Sequence, residues 1–149
     1  MKRLFSFLFS VVFLSSLSGD EDSVHSFYGK HFVASYLDCD PKALGDLTSL
    51  LDAMDGAVQT SGASILNRTF HIFPPNGLTA VYLLSESHAS IHTYPEYGAC
   101  FVDLFTCGET CSSEQFDRLM REYLKPGQVS ARKFARSKTI EEIPLELTR

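Results

Sequence analysis

The sequence has 149 residues, 44% of them hydrophobic and 21% charged, with a formal net charge of -5. That is enough apolar chain for one domain with its own core and too little for two, and it excludes a low-complexity or disordered protein. With 18 acidic against 13 basic side chains and no run of Lys or Arg longer than two, phosphate-driven nucleic-acid binding is excluded as the leading class, and small-molecule chemistry takes its place.

Residues 1–18 differ from the rest. Met1-Lys2-Arg3 is basic, residues 4–17 hold Phe, Leu, Val and Ser without a charge, and small residues precede Gly19-Asp20-Glu21-Asp22. This is the tripartite outline of a secretory signal peptide, and its apolar part is short for a membrane span. An organelle leader, a membrane tether or an extended start has the same composition. Residues 19–28 read as an acidic and polar linker, 29–136 as the domain proper and 137–149 as a surface tail.

Within the domain, residues 30–37 (KHFVASYL) predict a strand, stopped by Asp38-Cys39-Asp40-Pro41. Asp40 is a good N-cap with Pro41 in the first turn, and Leu44, Leu47, Leu51, Met54 and Val58 follow at helical spacing, so one amphipathic helix is expected up to Ser61-Gly62. Residues 65–73 predict a second strand, Pro74-Pro75-Asn76-Gly77 a turn and residues 79–85 a third strand, paired as a hairpin. Residues 99–107 predict another strand, with Phe101, Asp103, Phe105 and Cys107 on one face and Cys100, Val102 and Leu104 on the other. Ser112 and Gln115 resemble a capping box before a helix with the stripe Phe116, Leu119, Met120 and Tyr123, ended by Lys125-Pro126-Gly127. Residues 130–136 predict a last strand. The order β-α-β-β then β-α-β implies an α+β fold: a two-layer sandwich of two β-α-β-β-like halves, with helices on one face of a mostly antiparallel sheet.

The four cysteines, Cys39, Cys100, Cys107 and Cys111, have spacings that fit no zinc pattern, so no metal site is expected. Two disulfides would be open to an exported chain, but a core of this size does not need them, and the cysteines read as thiols. The sequon Asn67-Arg68-Thr69 falls inside a predicted strand and reads as chance.

Chemistry concentrates in residues 83–96 (LLSESHASIHTYPE), where apolar strand character gives way to two histidines, two glutamates and three serines between buried-looking strands. Polar groups beside a core are costly unless paired or used, which marks this segment as a candidate active site.

The segment LSESHASIHTYPEYG, followed by DLFTCGE, closely resembles the signature of the bacterial and archaeal S-adenosylmethionine decarboxylase proenzymes, over about residues 29–136. Glu86-Ser87-His88, His92 and Cys107 at these spacings carry the resemblance; Tyr94 stands where the family commonly has Trp. The resemblance implies that the chain makes its own covalent cofactor, a pyruvoyl group, from Ser87. Breakage of the Glu86-Ser87 bond would leave residues 1–86 and 87–149 as two chains of one domain. In turnover the pyruvoyl carbonyl would form a Schiff base with the substrate amine and take up the electron pair released with carbon dioxide, giving the aminopropyl donor for spermidine.

By the same resemblance, Thr79 and His92 would assist processing, and Cys107 would be the proton donor in turnover. An ordinary thiol, with a pKa of about 8.5, is mostly protonated at neutral pH and suits that task. Thr79, Val81, Leu83, Ser85 and Ser87 would share one face of an uninterrupted strand. Phe73 and the His92 ring would sandwich the adenine of S-adenosylmethionine, and Glu96 would accept hydrogen bonds from its ribose hydroxyls. The family draws these groups from both protomers, so a homodimer of processed chains is expected. Two alternatives remain at this point: a pyruvoyl-dependent decarboxylase of ornithine or arginine, and an unprocessed regulatory homologue. Localisation is pulled both ways, since the leader argues for targeting or export while a catalytic thiol and an intracellular substrate favour the reducing cytoplasm.

Overall fold

The computed structural model describes residues 27–107 and 110–145, so the expected leader and most of the linker lie outside the described residues. The chain opens with strand β1 (Gly29–Leu37), followed by helices α1 (Pro41–Gly45) and α2 (Leu47–Thr60). One helix was expected here; there are two because a second aspartate caps. Asp40 accepts the Lys42 N–H at 2.9 Å beside Pro41, and then Asp46, at φ -86° and ψ 85°, leaves helical geometry and starts again. Its carboxylate accepts the Ser49 N–H at 3.1 Å and the Ser49 hydroxyl at 2.7 Å, bonds that hold it below the usual carboxylate range.

After α2 come β2 (Ile65–Phe73), β3 (Gly77–Leu84), β4 (Ser87–Tyr94), a 3-10 turn at Pro95–Tyr97, β5 (Ala99–Thr106), α3 (Ser113–Leu124), β6 (Gln128–Arg136) and β7 (Ile140–Ile143). Ser112 caps α3 as expected, its hydroxyl accepting the Gln115 N–H at 3.3 Å. Two strands differ from the sequence reading. The polar segment after the third predicted strand is itself the strand β4, and the expected surface tail contributes β7, which pairs with β6. The strands form one antiparallel sheet in the order β2-β3-β4-β5-β1-β6-β7. Each half is therefore a full β-α-β-β unit, β1-α1/α2-β2-β3 and β5-α3-β6-β7, with β4 laid between β3 and β5.

Alternation along the strands sends one set of side chains to the helices: Phe32, Ala34 and Tyr36 of β1, Ala80 and Tyr82 of β3, Ala89 and Ile91 of β4, Val102 and Leu104 of β5. They form one buried cluster with Leu50 and Met54 of α2 and Phe116 and Met120 of α3, each large side chain contributing about 1.5–3 kcal/mol. One polar group enters this layer fully paired. Asp117 accepts the Tyr36 hydroxyl at 2.7 Å and Arg121 Nε at 2.8 Å, and burial together with the Asp117 charge drives the Tyr36 phenol far above its ordinary pKa. Among the described residues, no helix is long and apolar enough to cross a membrane.

Among the described residues no helix covers the opposite face of the sheet, and its residues are what position the chemistry. Three rows run across it: Thr79, His92, Phe101 and Ser35; Val81, Ser90, Asp103 and Val33; Leu83, His88, Phe105 and His31. Val81, Leu83 and Phe101 on this face are 45%, 56% and 41% exposed, a large apolar exposure for strand interiors.

Candidate active site

The chain reverses between β3 and β4 at Ser85-Glu86, so the strand is interrupted where an unbroken one was expected. Thr79 therefore pairs with His92 across the hairpin and does not share a strand with Ser87. The reason is local. Ser85 N–H donates to the Ser64 carbonyl at 2.9 Å, and Ser64 N–H donates to Glu86 Oε2 at 2.9 Å, which anchors the reversal to the start of β2.

At this reversal the Glu86 carbonyl oxygen accepts the backbone N–H of Cys107 at 3.0 Å. A donor fixed on a carbonyl withdraws electrons from its carbon and stabilises negative charge that develops on the oxygen. The next residue, Ser87, has its Oγ 3.0 Å from Nδ1 of His88. Nucleophile, acyl carbon and polarising donor thus converge on one peptide bond, Glu86-Ser87. Beside Cys107 lies a cleft of about 220 Å³ walled by Tyr28, Phe105 and Arg136, with the Arg136 guanidinium 4.5 Å over the Phe105 ring. Gly29 belongs here for steric reasons, since a Cβ at that position would come within 2.5 Å of the Phe105 ring.

The residues at the other end of β4 form a second group. Thr79 Oγ1 and His92 Nδ1 are 2.5 Å apart, the Tyr94 ring lies 4.4 Å from the His92 ring, and the Phe73 ring 5.9 Å from it. Phe73, His92, Tyr94 and Glu96 line a cleft of about 490 Å³ with Pro74 and Pro75. Phe73 and His92 meet edge to face, at 65° between planes. Thr79 on one side and Tyr94 on the other set the orientation of the His92 ring.

The structure thus brings together Glu86, Ser87 and Cys107, and separately Thr79, His92, Phe73 and Glu96, but not the two groups with each other. Five residues of extended strand, at about 3.3 Å each, put Ser87 and His92 roughly 17 Å apart.

Residues that the sequence reading passed over fill the open face near Ser87. His31 Nδ1 accepts Arg136 Nη1 at 3.3 Å, and its Nε2 faces Asp103 Oδ1 at 3.5 Å. Asp103 also accepts the Ser90 hydroxyl at 3.0 Å, and His31 and Ser90 hold its carboxyl below the usual range. The signal for this cluster was the period-2 alternation of β1, β4 and β5, which lines up His31, His88 and Phe105. The cysteines are free thiols. Burial raises the pKa of Cys100 and Cys111 and pushes Cys39 up to about 11, while Cys107 is partly exposed.

With the geometry in hand, comparison with known proteins gives a consistent result. The S-adenosylmethionine decarboxylase family model matches residues 30–137. The S-adenosylmethionine decarboxylase proenzyme of Thermosipho africanus is 38% identical over 110 residues, 74% of this chain and 85% of the relative. That of Parasynechococcus marenigrum is 42% identical over 108 residues, 72% of this chain and 84% of the relative. The crystal structure of the adenosylmethionine decarboxylase from Aquifex aeolicus superposes with a TM-score of 0.66 at 26% identity, covering 81% of this chain and 96% of that one. Nothing among these relatives favours ornithine or arginine. The chain belongs to the S-adenosylmethionine decarboxylase family.

Proposed function

We propose that this chain is a proenzyme that cleaves itself between Glu86 and Ser87 and then decarboxylates S-adenosylmethionine. The observation that carries the reading is the Cys107 N–H held 3.0 Å from the Glu86 carbonyl oxygen, next to the Ser87 hydroxyl. In the first step Ser87 Oγ attacks the Glu86 carbonyl carbon and the Ser87 nitrogen leaves, giving an ester. Loss of the Ser87 α-proton then expels the Glu86 carboxylate. The residue left at position 87 takes up water and releases ammonia.

Ser87 and its surroundings fit a pyruvoyl group, because the residue opens β4 paired with Thr106, next to the Cys107 that borders the cleft, with its acyl neighbour already polarised. Once formed, that group supplies a carbonyl that draws off the electron pair released with carbon dioxide. The protein's own groups do the rest. Cys107 delivers a proton to the α-carbon that carbon dioxide has left, Phe73 and His92 hold the adenine, and the Glu96 carboxylate accepts from the ribose hydroxyls.

We infer further that two chains share each site. Thr79 and His92 cannot reach Ser87 of their own chain across roughly 17 Å, yet they lie on the open face of the sheet, as does His88 beside Ser87 at the far end of β4. A two-fold arrangement of facing sheets covers Val81, Leu83 and Phe101 and carries the His92 end of one chain over the Ser87 end of the other. Purified protein given carboxyl-labelled S-adenosylmethionine, ornithine or arginine in parallel is expected to release labelled carbon dioxide from the first alone. Release from ornithine or arginine, with none from S-adenosylmethionine, would contradict the substrate assignment.

A further inference from the structure

We propose that His88 is the base for the first step of self-cleavage: its Nδ1 takes the Ser87 hydroxyl proton as Oγ bonds to the Glu86 carbonyl carbon. The same nitrogen returns that proton to the Ser87 α-nitrogen as the carbon–nitrogen bond breaks. The electron pair of that bond goes to the nitrogen, and the Glu86 carbonyl re-forms as an ester. No other reactant is consumed. The inference rests on the self-cleavage reading and assigns it a residue.

A serine hydroxyl is a weak nucleophile until a base accepts its proton, and a useful base must already be within hydrogen-bond reach. His88 Nδ1 meets that condition at 3.0 Å. The neighbouring carboxylates are committed elsewhere, Glu86 to the Ser64 N–H and Asp103 to Ser90 and His31. His92 of the same chain lies at the far end of the strand with its Nδ1 on Thr79. The His88 ring is also held in place, its centroid 5.6 Å from Phe105 and 6.4 Å from His31.

Its surroundings keep it ready to accept a proton. Opposite it on β3 stands Leu83 and on β5 Phe105, neither of which carries charge. Partial burial lowers the His88 pKa, His31 of β1 and Arg136 of β6 lower it further, and Asp103 of β5 opposes them. The imidazole is therefore neutral at neutral pH, the form that can take a proton.

The test follows cleavage of the full chain made by cell-free translation and chased at controlled pH, read as the loss of the uncut band. Wild type should cleave, with a rate that falls as pH drops through a value below the ordinary histidine range. His88→Ala should cleave about 100-fold or more slowly, lose that acid limb, and regain rate with added imidazole. It should also build up no ester that hydroxylamine can cut, since the base acts before the ester forms. A His88→Ala rate within twofold of wild type, an acid limb that persists in the variant, or an accumulating ester overturns the assignment and leaves self-cleavage intact. A slow variant that imidazole does not rescue, while His88→Asn cleaves at the wild-type rate, likewise overturns it. Failure of wild type to cleave would sink the underlying reading instead.

Discussion

Co-expressing Ser87→Ala chains with His92→Ala chains is expected to restore decarboxylase activity to about a quarter of the wild-type level, although either variant alone is inactive. In a mixed dimer the His92→Ala chain supplies an intact Ser87 and Cys107, and its partner supplies an intact Thr79 and His92. One of the two sites is then whole and the other carries both defects. Random pairing makes half the dimers mixed, which gives the quarter. The expectation follows from the structure, because β4 runs straight from Ser87 to His92 and an extended strand cannot fold the two ends together. Carbon dioxide release from the mixture measures it. If each site lay within one chain, the mixture would show no more activity than its two inactive components.

Cys107→Ala should separate the two reactions that meet at this residue. Its backbone N–H donates to the Glu86 carbonyl, and a change of side chain leaves that bond in place. Self-cleavage should therefore survive. Turnover should fall by about 100- to 10,000-fold on the proposal that the side chain is the acid that protonates carbon. Gel analysis reports the first and labelled carbon dioxide with product identity the second. Loss of cleavage in parallel with turnover would show that the thiol itself is needed for processing, and turnover near wild type would remove Cys107 as the proton donor.

Much of this arrangement was legible in the sequence where one physical signal dominated. The stripe Leu51, Met54 and Val58 marks α2 because a surface helix must bury one side, and the alternation through residues 99–107 marks β5 for the same reason. Strand β4 was harder to read because its open-face residues are His88, Ser90 and His92, whose polarity drew attention to chemistry and away from the buried partners Ala89, Ile91 and Thr93. Strand β7 is a short edge segment, IEEI, with two charges and little apolar pattern. The break at Asp46 is a side-chain cap inside a continuous apolar stripe, and the stripe alone does not reveal it.

The candidate site shows the same division. Residue types marked residues 83–96, and the family resemblance pointed to the Glu86-Ser87 bond within them. A spacing of five residues says nothing about distance until the strand is known. Ser87 and His92 are near in sequence and far apart in one chain, and Thr79 meets His92 only because the chain reverses at Ser85-Glu86. His31, Asp103 and Arg136 come from three separate strands, so their gathering near Ser87 follows from sheet order alone.

The most direct test of the central claim is the intact mass of the purified protein under denaturing conditions. Self-cleavage predicts two polypeptides, one ending at Glu86 and the other beginning at position 87 and lighter by one ammonia than residues 87–149 released by simple hydrolysis. The second chain should resist amino-terminal sequencing and gain two hydrogens on borohydride treatment. The Ser87→Ala protein should give one uncut chain without activity. A single uncut wild-type chain that still decarboxylates S-adenosylmethionine would contradict the account.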